Sequence, residues 1–306
     1  MIGDMQDLHA FLAVVQAGGF RQAARAGQGA ASKLSDAVKR LETQLGVRLL
    51  HRTTRSVSPT EAGARLVERL APALAEVRAS LDVVNRFRDR PAGTLRLNVP
   101  ANVARTVLPA IVTPFLKRYP DIRLEVMVED SFVDLLAAGC DAGIRYDERL
   151  AQDMIALPIG PATQRMVTAA SPAYLATHGR PQHPSDLLGH ACLRVQFSGG
   201  TVPVWEFERD GEIVRVDPQG PLQVRPGAAL DLAVQAAVDG LGVIHLFEDW
   251  LRPHLDSGAL EAILEPWSQR FSGPYLYYPG RRHLPSPLRA LIDFVREPAQ
   301  QARPVG

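Results

Sequence analysis

Near the N-terminus, apolar residues recur at the spacing of one helical face: Leu8, Phe11, Leu12 and Val15 stand three and four positions apart. Gly18 and Gly19 close that helix. A short second helix is predicted from Arg21 to about Ala26, with Ala23 and Ala24 small enough for close packing. Gly27 and Gly29 flank a turn, and Ser32 stands where a helix cap is expected. A third helix carries Leu34, Val38, Leu41 and Leu45 on one face, and Gly46 stops it. Its other face displays Ser32, Lys33, Ser35, Asp36, Lys39 and Arg40. Two short helices, a glycine turn and a polar-faced third helix predict a helix-turn-helix, whose last helix can enter a major groove. The segment RLLHRTTRSVSPT then reads as two short strands around a basic turn, a wing with Arg52, Thr53, Thr54 and Arg55 near its tip.

From Thr60 the pattern changes. Leu66, Leu70, Leu74, Val77, Leu81, Val84 and Phe87 follow at spacings of 4, 4, 3, 4, 3 and 3, an apolar seam suited to a partner helix. Packing on its own chain is the competing reading. A continuous helix over this stretch would span roughly 45 Å, and Pro72 should bend it or remove one backbone bond. Beyond a hinge at Arg90–Gly93, short strand-like runs (TLRLNV, IRLEVMV, IALPIG, RMVTA, WEFER, EIVRV, LGVIHLF) alternate with helical ones such as VLPAIVTPFLKRYP and AALDLAVQAAVDG. That alternation predicts an α/β fold with a mainly parallel sheet, and about 210 residues favour two lobes over one.

Charge sharpens this division. From Phe20 to Thr60 there are eight Lys or Arg and two acids, 8 − 2 = +6, in a protein of net charge +1. Residues 1–92 sum to +5 and residues 93–306 to −4, so a polyanion partner is expected at the front only. The N-terminus carries acids where a secretory signal carries bases, and no run approaches the ~20 apolar residues of a membrane helix. Cys140 and Cys192 lack metal-type spacing and fit a reducing cytoplasm. No cofactor, no metal site and no catalytic group is expected: there is no P-loop, HExxH or GxSxG. Gly240 and Gly242 lack the third glycine of a dinucleotide motif, and His178, His183 and His190 read as loop residues.

The run AARAGQGAASKLSDAVKRLETQLGVRLLHRTTRSVSPTEAG resembles the N-terminal domain of LysR-type transcriptional regulators. Its most specific parts are LExxLGVRLLxRTTRxxxxTEAG from Leu41 to Gly63 and FxxVxxxGxFxxAA from Phe11 to Ala24. Gly27, Gly29, Ala30 and Lys33 depart from the family pattern, which bears on the bases read rather than on the fold. The resemblance implies DNA contacts from Ser32, Lys33, Ser35, Asp36 and Lys39, and backbone contacts from Arg52, Thr53, Thr54 and Arg55. Lys39 and Arg40 suit phosphates. TLRLNVPANVARTVLPAIVTPFLKRYPDIRLEV, AAGCDAGIR and GLGVIHL resemble the family's effector-binding half, which is similar to two-lobed periplasmic binding proteins.

The expected domains are therefore a winged helix-turn-helix at 1–59, a dimerising linker helix at 60–90 and a two-lobed effector-binding domain at 93–306. Lobe 1 is placed at about 93–160 with 267–306, and lobe 2 at about 161–266. Open α/β sheets bind ligands at strand ends. This points to Asn102 and Ser131 at helix starts, Arg145 as a carboxylate clamp, Gln196, Phe197 and Ser198 after the strand from Cys192, and His245. Each has a plain alternative: Asn102 and Ser131 as caps, Arg145 paired with Asp147 or Glu148, His245 as an interior histidine.

The function expected is a sequence-specific regulator bound to double-stranded DNA at an inverted repeat and modulated by a small inducer, an organic acid. Homodimers would assemble to a tetramer or larger, in the cytoplasm and away from membranes, with RNA polymerase a further candidate partner. Two other classes compete: a two-lobed small-molecule binder without a regulatory role, and a constitutive DNA-binding protein whose C-terminal half only oligomerises.

Overall fold

The structure is a computed structural model and describes residues 4–25, 27, 29–52, 57–82, 90–130, 139–146, 154–196, 202–225, 227, 229–280 and 284–301. The chain forms two compact units, one of residues 1–91 with 133–141 and 282–286, the other of 92–132, 142–281 and 287–306.

In the first unit, helices α1 (Met5–Gln16), α2 (Phe20–Arg25) and α3 (Ala31–Leu45) precede strands β1 (Leu50–Arg52) and β2 (Val57–Pro59) and helix α4 (Glu61–Asp82). Asp4 caps α1 by accepting from the backbone N–H of Gln6. Three of the four predicted stripe residues close the core: Leu34, Val38 and Leu41 are buried with Phe11, Leu12, Val14 and Ala23, whereas Leu45, in the last turn of α3, is 47% exposed. Each of the buried Leu, Val and Phe side chains contributes about 1.5–3 kcal/mol. The N-cap of α3 is Ala30, without a side-chain bond, so Ser32 lies inside the first turn and is no cap. Gly46 ends the helix at φ +68°, a left-handed conformation glycine adopts without strain.

Strands β1 and β2 pair antiparallel, with Arg52 opposite Val57. Helix α4 retains Pro72 and runs 22 residues, roughly 33 Å. Residues 83–89, with Val84 and Phe87, lie outside the described residues. The first half of the predicted seam packs on its own chain: Leu66, Leu70 and Leu74, with buried Val67 and Ala71, join the core of the first unit. Val77 stays exposed.

The second unit holds β3 (Gly93–Val99), α5 (Ala101–Thr106), α6 (Leu108–Arg118), β4 (Ile122–Val128), β5 (Ala142–Arg145), β6 (Met154–Pro158), β7 (Thr163–Ala170), α7 (Pro172–His178), β8 (Cys192–Val195), β9 (Trp205–Arg209), β10 (Glu212–Val216), β11 (Gln223–Val224), α8 (Ala229–Val238), β12 (Val243–Phe247), α9 (Glu248–Asp256), β13 (Glu261–Ile263), β14 (Arg270–Ser272), β15 (Tyr275–Pro279) and α10 (Ser286–Gln301). These make two large sheets and a separate two-stranded one, the antiparallel β9–β10 hairpin. Of the large sheets, one has the order β4-β3-β5-β15-β6, the other β11-β8-β12-β7-β13 with β14 on β7. Both are mixed rather than mainly parallel: β3 pairs parallel with β4 and β5, but β15 runs antiparallel to β5 and β6, and β12 antiparallel to β7. Long-range return strands such as β15 cause this, and no local pattern marks their direction.

The second sheet is covered on both faces. Leu193, Ile244 and Leu246 pack with α8 and α9, while Cys192 and Val243 pack with Trp205 and Phe207 of the β9–β10 hairpin. No helix among the described residues is long and apolar enough to cross a membrane.

Candidate functional site

In the first unit, burial of the Leu34–Leu41 stripe leaves the opposite face of α3 to solvent. Ser32, Lys33, Asp36 and Lys39 are exposed and Ser35 is half-buried. Lys33 and Lys39 make no ion pair among the described residues, so their ammonium groups are available to an anion. Arg40 is exposed, yet its guanidinium forks onto the buried carboxylate of Asp7, at 2.6 and 3.2 Å. Arg52 ends β1 with its guanidinium already engaged. It donates to Glu42 at 3.0 Å and to the Ser35 hydroxyl at 3.4 Å, and lies 5.0 Å above the Phe20 ring. Thr53, Thr54 and Arg55 lie outside the described residues.

Glu42, the acid of the LExxLG motif, organises the junction of helix and wing. Its Oε1 accepts from the N–H groups of Leu49 and Leu50, and its Oε2 from Arg52. The Thr60 hydroxyl continues the junction, donating to the Arg48 carbonyl and accepting from the Gly63 N–H.

In the second unit, the structure brings Asn102 and the end of β5 together. Asn102 is buried, and its Nδ2 donates to the Tyr146 hydroxyl at 2.9 Å. Its Oδ1 is buried without a partner. The amide's two ends are assigned by their surroundings, but either assignment leaves one atom unpaired. Tyr146 stacks on Phe247, centroids 5.6 Å apart at 19°, and meets Phe271 edge-on at 5.7 Å. Burial pushes its phenol up to about 12, so at neutral pH the hydroxyl keeps its proton and can donate. Gln164 approaches the same hydroxyl. It is 6% exposed, and neither atom of its amide reaches hydrogen-bond geometry with a protein group.

Two protein groups already occupy the places expected to receive an anion. The carboxylate of Asp130 already occupies the start of α5, accepting from the Ala101 N–H at 3.1 Å. Burial raises that carboxyl above its ordinary range. Arg145 is buried and donates to the carbonyls of Ile144 (2.7 Å), Glu129 (3.0 Å) and Asn98 (3.4 Å) and to the side-chain oxygen of Asn98. That guanidinium ties β3 and β5 to the residue that follows β4. A carboxylate clamp would have to give up these carbonyls.

Gln196 is half-buried, and its N–H donates to the Val224 carbonyl. Ser131, Phe197 and Ser198 lie outside the described residues. His245 bonds Thr168 at 2.9 Å and sits 5.1 Å from both the Trp205 and the Phe207 rings. It shares the Val243 face of β12, inside the core. Burial lowers its imidazole to about 4, so it is neutral. The structure thus assembles Asn102, Tyr146, Gln164, Phe247 and Phe271, a set of neutral donors and acceptors against aromatic faces. Such a set suits recognition of a small polar molecule. Tyr146 was adjacent to a chosen residue in sequence; nothing local pointed to Gln164 or Phe271.

Known proteins share both units. Residues 5–64 match the description "Bacterial regulatory helix-turn-helix protein, lysR family", and residues 88–300 match "LysR substrate binding domain". The chain is 38% identical over 293 residues to the uncharacterized HTH-type transcriptional regulator YcaN of Escherichia coli K12, covering 96% of this chain and 95% of that protein. It is 34% identical over 291 residues to the HTH-type transcriptional regulator PgrR of the same organism, covering 95% and 96%. Among solved structures, the full-length Vibrio cholerae virulence activator AphB, a member of the LTTR protein family, is similar with a TM-score of 0.66 at 26% identity. That likeness covers 95% of this chain and 98% of AphB.

Proposed function

Since the chain belongs to the LysR family of transcriptional regulators, a family of DNA-binding regulators and not of enzymes, we propose that it binds an inverted-repeat operator in the cytoplasm as a dimer and responds to a small organic acid. The observation that carries the DNA reading is the α3 face, where Ser32, Lys33, Asp36 and Lys39 stand exposed opposite buried Leu34, Val38 and Leu41. Lys33 and Lys39 would neutralise phosphates, and the serines would bond phosphates or base edges. Residues 1–59, 60–90 and 93–306 would act as DNA-binding, pairing and ligand-sensing parts. Exposed Val77 and the segment that follows it would carry the pairing, because the earlier seam residues are spent on the chain's own core.

The ligand reading rests on Asn102 and its neighbours. A C-terminal half that served only to oligomerise would have no need for a buried amide oxygen without a partner beside a phenol that can still donate. An acid's oxygens would accept from Tyr146, and its carbon frame would lie on Phe247. Binding would favour one arrangement of the dimers within a tetramer or larger assembly, changing DNA bending or contact with RNA polymerase.

Footprinting on the DNA upstream of the gene, with and without a panel of small acids, tests both halves. The expected result is protection of a segment with dyad symmetry whose extent changes with one acid. Protection indifferent to every acid would remove the acid reading, and absence of dyad protection would remove the operator reading.

A further inference from the structure

Strands β7 and β14 place Arg165 and Arg270 directly opposite one another in antiparallel register. Like charges so placed are unfavourable unless an anion lies between them. Glu248, the first residue of α9, answers one of them: its two oxygens accept from Arg165 at 2.6 and 3.0 Å. That fork holds the Glu248 carboxyl below the usual carboxylate range. Arg252, one turn along α9, reaches Glu248 at 3.4 Å and Asp249 at 3.7 Å. Arg270 is exposed and makes no ion pair among the described residues. Three guanidinium groups against two carboxylates leave 3 − 2 = +1.

These side chains surround a cavity of about 320 Å³, also lined by Gln164 and Phe247. Helix α9 begins there. Phe247 is its N-cap residue, so no side chain caps its first N–H groups. An uncapped helix start carries partial positive charge and free donors. Gln164 adds a neutral group: it is 6% exposed, with both amide atoms unpaired. Surplus cation, uncapped helix start and unpaired amide converge on one cavity, which is at the small end of the size range of ligand pockets.

We propose that this cavity is a binding site for a small oxyanion, a carboxylate or phosphate group, held by Arg270 and Arg252 at the start of α9. It shares Gln164 and Phe247 with the Asn102–Tyr146 group, while Arg165, Arg252 and Arg270 belong to this cavity and to neither the operator nor the inducer reading. The bound oxygens replace the missing cap and neutralise the cross-strand pair of arginines, so the ligand stabilises the second unit as well as occupying it.

Titration of the full-length protein with inorganic phosphate or acetate, against chloride at constant ionic strength, tests this by thermal shift and calorimetry. Wild type should show saturable stabilisation by phosphate, acetate or both, and the two arms identify which group the cavity prefers. Arg270→Ala should weaken that affinity about tenfold, and Arg270→Lys should restore part of it. Arg252→Ala serves as the second variant if Arg270→Ala does not fold. Stabilisation equal to that of chloride, or unchanged affinity in the alanine variants, would overturn the site.

Discussion

Arg40 and Asp7, 33 residues apart in sequence, form a fork at 2.6 and 3.2 Å that joins α3 to α1. The carboxylate is 3% exposed and the arginine is largely in solvent. A charge predicted at the DNA face therefore also holds the helical core closed. Arg40→Ala should lower the unfolding temperature, because it leaves a buried carboxylate unpaired. Lys39→Ala should leave that temperature unchanged, yet weaken binding to any DNA sequence and reduce the salt slope by about 0.9 for the lost phosphate. Melting curves and salt-titrated anisotropy separate the two. Equal melting temperatures would refute the structural role of Arg40, and an unchanged slope would refute the phosphate role of Lys39.

A second outcome concerns Gly63. A β-carbon there would stand 2.1 Å from the carbonyl oxygen of Leu49. That neighbour is backbone and cannot swing aside. Gly63→Ala should cost about 1–3 kcal/mol, read from urea unfolding, by pushing α4 off the wing. Full stability in this variant would show that the close approach is not required.

At the ligand group, Asn102→Ala and Tyr146→Phe should abolish the response to the effective acid while leaving DNA affinity intact. Arg145→Ala should behave differently. Hydrogen bonds to a charged group contribute about 1.5–3 kcal/mol each, and Arg145 makes several, to the carbonyls of Asn98, Ile144 and Glu129. Its loss should lower the urea midpoint before any effect on response is measurable. A stable Arg145→Ala protein that has lost only its response would reinstate Arg145 as the clamp.

His245 predicts a pH dependence. Its imidazole is lowered from 6.5 to about 4 by burial, so between those values the unfolded chain binds a proton that the folded chain does not. Stability contributed by this residue is complete above about 6.5 and is lost as pH falls toward about 4, on the order of 3 kcal/mol in all. Carboxylates titrate in the same range, so the comparison is with His245→Gln. The wild type should lose more stability than the variant between pH 7 and pH 4.5, and parallel losses would contradict the assignment.

The helix-turn-helix was legible because its signals are local. Leu34, Val38 and Leu41 mark one face by spacing alone, and Gly46 marks an end. Those same residues face inward in the structure. The ligand group was only partly legible. Asn102 follows a recognisable strand, but its partners Tyr146, Gln164 and Phe271 lie 44, 62 and 169 positions away, and no periodicity links them. Arg145 and His245 show the limit from the other side. Arg145 ends β5, where a ligand contact is expected, whereas His245 stands in the middle of β12, and each is turned to other work by neighbours distant in sequence: the carbonyls of Asn98 and Glu129 for Arg145, the rings of Trp205 and Phe207 for His245.

By itself the sequence determined which segments become helix or strand, where the positive charge gathers, and which polar face of α3 remains in water, because these follow from spacing and solvation along a short stretch of chain. Only the tertiary structure decided which charges are free. Lys33 and Lys39 remain available, while Arg40, Arg52 and Arg145 are taken by Asp7, Glu42 and backbone carbonyls. A guanidinium binds whatever oxygen the fold brings within 3 Å, and which oxygen that is depends on contacts across many residues.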